Sequence, residues 1–217
     1  MDLPVADNVE ERLYKVLVIG EFGVGKTSII RRYTENFFSP NYKLTIGVDF
    51  ALKPLEWQNP PCKINLQLWD IAGHERFGQM TRVYYKYAIA AVLVYDTTRS
   101  ATFDAVLKWY SDVNSKVMLS DEKPVPCLLL ANKCDLDEAQ VDKETLDAFC
   151  HKHGFIGWFA TSAKDDTNIS DAFEFLVSKI LEMTAMPSQP DRSAVHLDDG
   201  QDSERSLVRE WKDRCCE

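Results

Sequence analysis

"GEFGVGKT" at residues 20–27 fits the pattern G-x-x-x-x-G-K-[ST]. It follows the apolar run "YKVLVIG" (14–20) and opens the amphipathic stretch "KTSIIRRYT" (26–34), so it reads as a strand-to-helix turn. Glycines let such a backbone curl until successive N–H groups face one anion. The positive end of the following helix adds to that field. In this pattern Lys26 reaches the β- and γ-phosphates of a nucleotide, and the Thr27 hydroxyl is placed for Mg²⁺. A bare glycine-rich turn beside a surface lysine would need neither this spacing nor this context.

The rest of the chain alternates short apolar runs with amphipathic stretches. "FALKPLEWQ" (50–58) and "KINLQLWD" (63–70) flank "NPP" and read as a hairpin. "AAVLVYD" (90–96) and "CLLLANK" (127–133) are buried strands, and "FIGWFATSA" is a strand with the turn after it. "SATFDAVLKWYSDVNSKV" reads as one helix. "DKETLDAFCHKHG" is a helix capped by Asp142 and stopped by Gly154, and "NISDAFEFLVSKILEMT" is the last amphipathic helix. Strands separated by helices imply a mostly parallel sheet with helices on both faces and ligands at the strands' C-terminal ends. The pattern predicts six strands, one of them antiparallel, in a single domain over residues 12–184. Residues 1–11 are expected to be flexible, and 185–217, polar and rich in Ser, Pro, Asp and Arg, to form a disordered tail.

Bulk composition narrows the partners. The chain has 217 residues, 45% hydrophobic and 27% charged, with a net charge of −9. That acidity argues against nucleic acid, whose phosphates need a basic face. No apolar run has the length of a membrane span, and the acidic start lacks a signal-peptide core, so a cytosolic chain is expected. Cys62, Cys127, Cys134 and Cys150 are scattered without metal-ligand spacing and read as core or loop residues. Cys215 and Cys216 are adjacent, one residue from the end, with no core to join.

The base is named by two further stretches. "NKCD" (132–135) follows a buried strand, and a carboxylate at Asp135 can accept from guanine N1 and its exocyclic amine. Adenine offers no such pair of donors, and a buried acceptor left unpaired is costly. "TSAK" (161–164) ends the next strand, where the Ala163 N–H can donate to guanine O6.

"GEFGVGKT", "TIG", "WDIAG", "NKCD" and "SAK" together resemble the Ras-like small GTPases across residues 12–184. "IGVDF", "WDIAGHERF" and "MTRVYY" resemble the Rab branch; "GVDFALK", "LLLANKCD" and "GWFATSAK" resemble the Rab subgroup serving lysosome-related organelles. The resemblance implies a GTPase fold, GTP or GDP with Mg²⁺, and a set of nucleotide contacts. These are Gly20, Glu21, Phe22, Gly23, Val24, Gly25, Lys26, Thr27 and Ser28 in the phosphate loop, and Phe38, Tyr42 and Thr45 in switch I. Asp70 and Gly73 follow in switch II, and Asn132, Lys133, Asp135, Ser162, Ala163 and Lys164 surround the base. Thr27, Thr45 and Asp70 would hold Mg²⁺, the last through water. Phe38 and Lys133 would lie on the two faces of the guanine. Lys26, Gly73 and His74 would serve the chemistry, and Ile46, Phe50, Trp69, Phe77 and Tyr84 would face effectors.

His74 departs from the pattern. In Ras a glutamine orients the water that attacks the γ-phosphate. Its amide accepts from water and donates to a phosphate oxygen at once. Neutral imidazole has one donor and one acceptor, but they diverge across a rigid ring, and the protonated ring has no acceptor. Impaired intrinsic hydrolysis is therefore expected. Phe22 points the same way, since a benzyl group in the loop would crowd the γ-phosphate side.

Cys215 and Cys216 match the double-cysteine ending that Rabs carry for geranylgeranylation, here followed by Glu217. Two lipid chains anchor stably where one holds marginally. The resemblance also implies an exchange factor, a GTPase-activating protein, effectors, a GDP-dissociation inhibitor and a Rab escort protein. It implies the cytoplasmic face of endolysosomal or lysosome-related membranes, with a cytosolic pool. Two other readings stand beside the switch: a GTP-binding scaffold with little or no hydrolysis, controlled mainly by nucleotide exchange, and a P-loop nucleoside or nucleotide kinase, which "NKCD" and "SAK" oppose.

Overall fold

Seven residues of one strand and six of another are buried without exception, the pattern of parallel strands covered on both faces. The computed structural model describes residues 10–41, 43–73, 81–117, 119 and 123–185. In chain order these form β1 (Glu11–Ile19), α1 (Lys26–Glu35), β2 (Val48–Gln58), β3 (Pro61–Ile71), α2 (Thr81–Tyr85), β4 (Ala90–Asp96), α3 (Ser100–Asp104), α4 (Val106–Lys116), β5 (Cys127–Asn132), α5 (Lys143–His153), β6 (Gly157–Thr161) and α6 (Ile169–Ala185). The sheet order is β2-β3-β1-β4-β5-β6. Only β2 and β3 pair antiparallel, as the hairpin reading requires. The other pairs are parallel.

Each face of the sheet carries a core. Ile29, Ile30 and Tyr33 of α1 meet Phe173, Leu176 and Ile180 of α6 on one side. Trp109 and Val113 of α4, Tyr85 of α2, and Leu146 and Cys150 of α5 cover the other. Trp109 and Phe173 are each 1% exposed. Truncating a side chain of that size in a closed core costs about 3–5 kcal/mol.

Asp142 caps α5 by accepting from the Glu144 N–H at 3.1 Å, and Gly154 ends the helix with φ 77°. The stretch 100–117 differs from its reading as one helix. It divides at Ala105 into α3 and α4. Thr102 turns its hydroxyl back to the Arg99 carbonyl at 2.7 Å and accepts from the Asp96 N–H, pinning the first turn to the end of β4. The short helix α2 has no counterpart in the sequence pattern. Cys62, Cys127 and Cys150 are buried and Cys134 is half-buried, as scattered core and loop residues should be. Among the described residues no helix is long and apolar enough to cross a membrane.

Candidate nucleotide site

The C-terminal ends of β1, β3, β4, β5 and β6 lie along one edge of the sheet, and the motif loops leave from them. At the end of β1, the chain turns through Gly23 and Gly25 in left-handed conformations of φ 71° and 100°. A side chain at Gly25 would sit 2.3 Å from Asn132 Nδ2. That closeness has a use: Asn132 Nδ2 donates to the Val24 carbonyl at 2.8 Å, tying the "NKCD" loop to the phosphate loop.

Lys26 begins α1 and is 6% exposed. Its Nζ donates to the Gly20 carbonyl at 2.8 Å and the Glu21 carbonyl at 2.9 Å. Burial pushes its ammonium down to about 8, against the opposing pull of the Asp70 and Glu21 carboxylates. Glu21 in turn accepts from the Trp109 indole N–H at 3.1 Å. Phe22 stands 58% exposed at the loop tip.

Three segments meet beside Lys26. The Thr27 and Thr45 hydroxyls are 2.8 Å apart, and Thr27 donates to Asp70 Oδ2. Thr45 approaches the same oxygen at 3.4 Å. Asp70 is 3% exposed, and its Oδ1 has no hydrogen-bond partner among the described residues. Burial raises its carboxyl above the usual range, with the two hydroxyls and Lys26 opposing. Mg²⁺ takes hard oxygen ligands and keeps several waters. Two hydroxyls and a buried carboxylate with one spare oxygen are a donor set that fits it. Gly73 closes this side: a Cβ there would meet the Phe22 backbone nitrogen at 2.3 Å, so the start of switch II rests directly on the phosphate loop.

The base loops are laced together. Ser162 is fully buried and donates to Asp135 Oδ1 at 2.7 Å, while Lys164 Nζ lies 3.6 Å from Oδ2. Thr161 donates to Asn132 Oδ1 at 3.3 Å. Lys133 adopts φ 68° and donates to Asp96 Oδ2 at 2.7 Å. Phe38 is half-buried against the α1–α6 core. Ser28 lies in α1, after Thr27.

Several residues at this edge carry no motif and escaped the sequence reading. Asp96 is 1% exposed and accepts from Lys133, Arg99 and Thr98. Burial works against its ionisation, but those partners together hold the carboxyl down to about 2. An acid closing a wholly apolar strand at the ligand edge was the available signal. Arg32 of α1 donates to the Ala163 and Lys164 carbonyls at 2.8 and 2.9 Å, and nothing in its surroundings in the sequence marks it.

At the β2 edge of the sheet, Phe50 and Trp69 pair across β2 and β3 with ring centroids 6.0 Å apart. The Lys15 ammonium lies 3.5 Å from the centre of the Trp69 ring. Phe50 is 61% and Ile46 83% exposed, and Tyr84 on α2 is half-buried. Tyr42, His74, Phe77, Cys215 and Cys216 lie outside the described residues.

The Ras family profile matches residues 15–182. The chain is 59% identical over 192 residues to Ras-related protein Rab-32B of Dictyostelium discoideum, covering 88% of this chain and 74% of that one. It is 53% identical over 214 residues to Ras-related protein Rab-32 of Homo sapiens, covering 97% and 92%. With Ras-related protein Rab-7L1 of Homo sapiens the identity is 48% over 171 residues, 79% and 84% of the two chains. The phosphate loop, the oxygen cluster beside Lys26 and the laced base loops thus sit in a chain that belongs to the Ras family, on its Rab branch: a small GTPase of vesicle trafficking that binds GTP and GDP with Mg²⁺ and hydrolyses GTP.

Proposed function

We propose that this chain is a membrane-anchored switch of lysosome-related or endolysosomal membranes whose GTP state is long-lived because His74 replaces the water-orienting glutamine. The observation that carries the switch reading is the meeting of Thr27, Thr45 and Asp70. Residues 43–46 have no regular structure of their own, and one hydroxyl ties them to the phosphate loop. A largely exposed segment tied through the Thr45 hydroxyl responds to whether the γ-phosphate and Mg²⁺ are there to bind. Thr27 and Thr45, with Asp70 through water, would hold Mg²⁺, which would supply charge neutralisation at the phosphates. Lys26 supplies the fixed cation, Gly73 brings its N–H to the γ-phosphate, and Asp135, Ala163 and Lys133 select guanine. Phe50, Trp69 and Tyr84, with Ile46 and Phe77, form the face that effectors read in the GTP state.

Exchange factors and GTPase-activating proteins set the cycle, while a GDP-dissociation inhibitor and an escort protein handle the lipidated tail. Chelating Mg²⁺ tests the metal assignment. GDP release from the wild type speeds up about tenfold or more, 1.4 kcal/mol for each decade. Asp70→Asn releases GDP quickly whether or not chelator is present. Equal release with and without chelator in the wild type removes Mg²⁺ from this cluster.

The tail makes a separate prediction. Cys215→Ser combined with Cys216→Ser moves the protein from membranes to the cytosol and leaves GTP affinity unchanged, since neither thiol belongs to a nucleotide-binding motif. A single substitution gives an intermediate, because one lipid chain supports only reversible binding. Membrane fractionation of the three variants reads this, and a double variant still pelleting with membranes rules out lipid anchoring through these thiols.

A further inference from the structure

Two carbonyls on the outer side of the phosphate loop are held from outside. Asn132 takes the Val24 carbonyl at 2.8 Å. Arg99, at the start of α3, takes the Phe22 carbonyl through Nη2 at 3.0 Å. The peptide unit is planar and trans, so its C=O and N–H point in opposite directions. A Phe22 carbonyl held outward turns the Gly23 N–H to the other side, the concave side of the loop. Gly23 has φ 71° and no side chain, so nothing in its own backbone prevents this peptide from rotating. The lock has to come from a neighbour.

Arg99 is itself fixed at its other end. Its Nε donates to Asp96 Oδ2 at 2.9 Å, and the same oxygen accepts from Lys133 at 2.7 Å. The guanidinium lies 5.8 Å from the Phe22 ring centre, over its face. One rigid fork therefore spans a buried carboxylate and a backbone carbonyl, a geometry that a lysine ammonium cannot reproduce at both ends.

We propose that Arg99 is a positioning residue for the phosphates: it fixes the Phe22–Gly23 peptide so that the Gly23 N–H faces the nucleotide, and Asp96 braces it against the lysine of the base loop. The inference rests on the guanine-nucleotide reading of the site. It gives Arg99 a role in recognising phosphates, not the base, although its brace reaches the base loop through Asp96 and Lys133.

The test compares affinities for GDP, GMP and inosine diphosphate in the wild type, Arg99→Ala and Arg99→Lys, by competition at fixed Mg²⁺. Arg99→Ala lowers GDP affinity on the order of tenfold, the size of one charge-assisted hydrogen bond. It lowers GMP affinity much less, so the GDP-to-GMP ratio falls, while the GDP-to-inosine-diphosphate ratio stays that of the wild type. Arg99→Lys keeps the pairing with Asp96 and recovers thermal stability, but the GDP-to-GMP ratio stays low. Equal losses for GDP and GMP make Arg99 merely structural and overturn the proposal, as does a change in the inosine ratio. If Arg99→Ala fails to fold, Arg99→Lys with a wild-type GDP-to-GMP ratio overturns it by itself. A wild type that binds none of the three nucleotides sinks the underlying site reading instead, and that outcome is distinct from the rest.

Discussion

Asp135→Asn weakens GTP binding about a thousandfold and turns the preference toward XTP. The carboxylate offers two acceptor oxygens, one of which is already fixed by the Ser162 hydroxyl at 2.7 Å. Guanine presents two donors on the edge that would face it, N1–H and the exocyclic amine. Hydrogen bonds to charged groups contribute roughly 1.5–3 kcal/mol each, about one to two decades; the variant loses one outright and the negative charge behind the other, which together amount to about three decades. Asparagine places an amide N–H₂ where one oxygen was, and that group opposes a guanine donor directly. Xanthine has a carbonyl at C2, which accepts from the new amide. Ser162 keeps a partner in the variant, so the loop holds its shape and the effect belongs to the base. Competition between GTP and XTP measures it. An unchanged preference for GTP takes Asp135 out of the base pocket.

Lys26→Ala lowers nucleotide affinity about a hundredfold to a thousandfold. Its ammonium is the cation the motif aims at the β- and γ-phosphates, and it is nearly closed off from water. Truncating one partner of a buried, hydrogen-bonded charge pair costs about 2–5 kcal/mol. The variant also leaves the Gly20 and Glu21 carbonyls without their present donor, which loosens the loop. A pH signature accompanies the loss. In the free protein burial holds this ammonium down to about 8, and phosphate needs the charged form. Affinity in the wild type therefore declines as pH rises through about 8, where the free site gives up its proton. That limb is absent in Lys26→Ala. Titrating GDP affinity from about pH 7 to 9.5 in both proteins, a span that brackets this loss of charge, reads the sign directly. A flat wild-type profile contradicts the assignment of Lys26 as the phosphate cation.

The fold was legible because a strand-turn-helix spells out its own chemistry. "YKVLVIG" before the glycine loop and "KTSIIRRYT" after it left little freedom for 14–34, and the runs "AAVLVYD" and "CLLLANK" required covered parallel strands. The hairpin of β2 and β3 followed from turn residues between two patterned runs. Within the site, spacing told that "NKCD" and "TSAK" would stand at neighbouring strand ends, and the Ser162–Asp135 contact is where they touch. What could not be read are residues that act on backbone carbonyls from outside. Arg99 is 77 positions from Phe22, and Arg32 is 131 from Ala163. No local pattern marks an arginine that braces a loop from across the fold. The break at Ala105 was hidden for a related reason: Thr102 bonds back to the end of β4, a tertiary contact that helical periodicity does not contain.

The proposed long-lived GTP state, with His74 in place of the water-orienting glutamine, is the property on which the switch's behaviour would depend most. Single-turnover phosphate release from GTP-loaded wild type and His74→Gln, at fixed Mg²⁺ and pH, tests it most directly. Lys26, Thr27, Thr45, Asp70 and Gly73 are the same in both proteins, so GTP affinity stays nearly constant. A positioned amide adds one to two decades of rate, about 1.4 kcal/mol of barrier for each. Hydrolysis is therefore expected to be about tenfold to a hundredfold faster in His74→Gln, with a further gain when Phe22→Gly is added. Equal rates in wild type and His74→Gln would contradict this, because the imidazole would then be holding the water as well as an amide does.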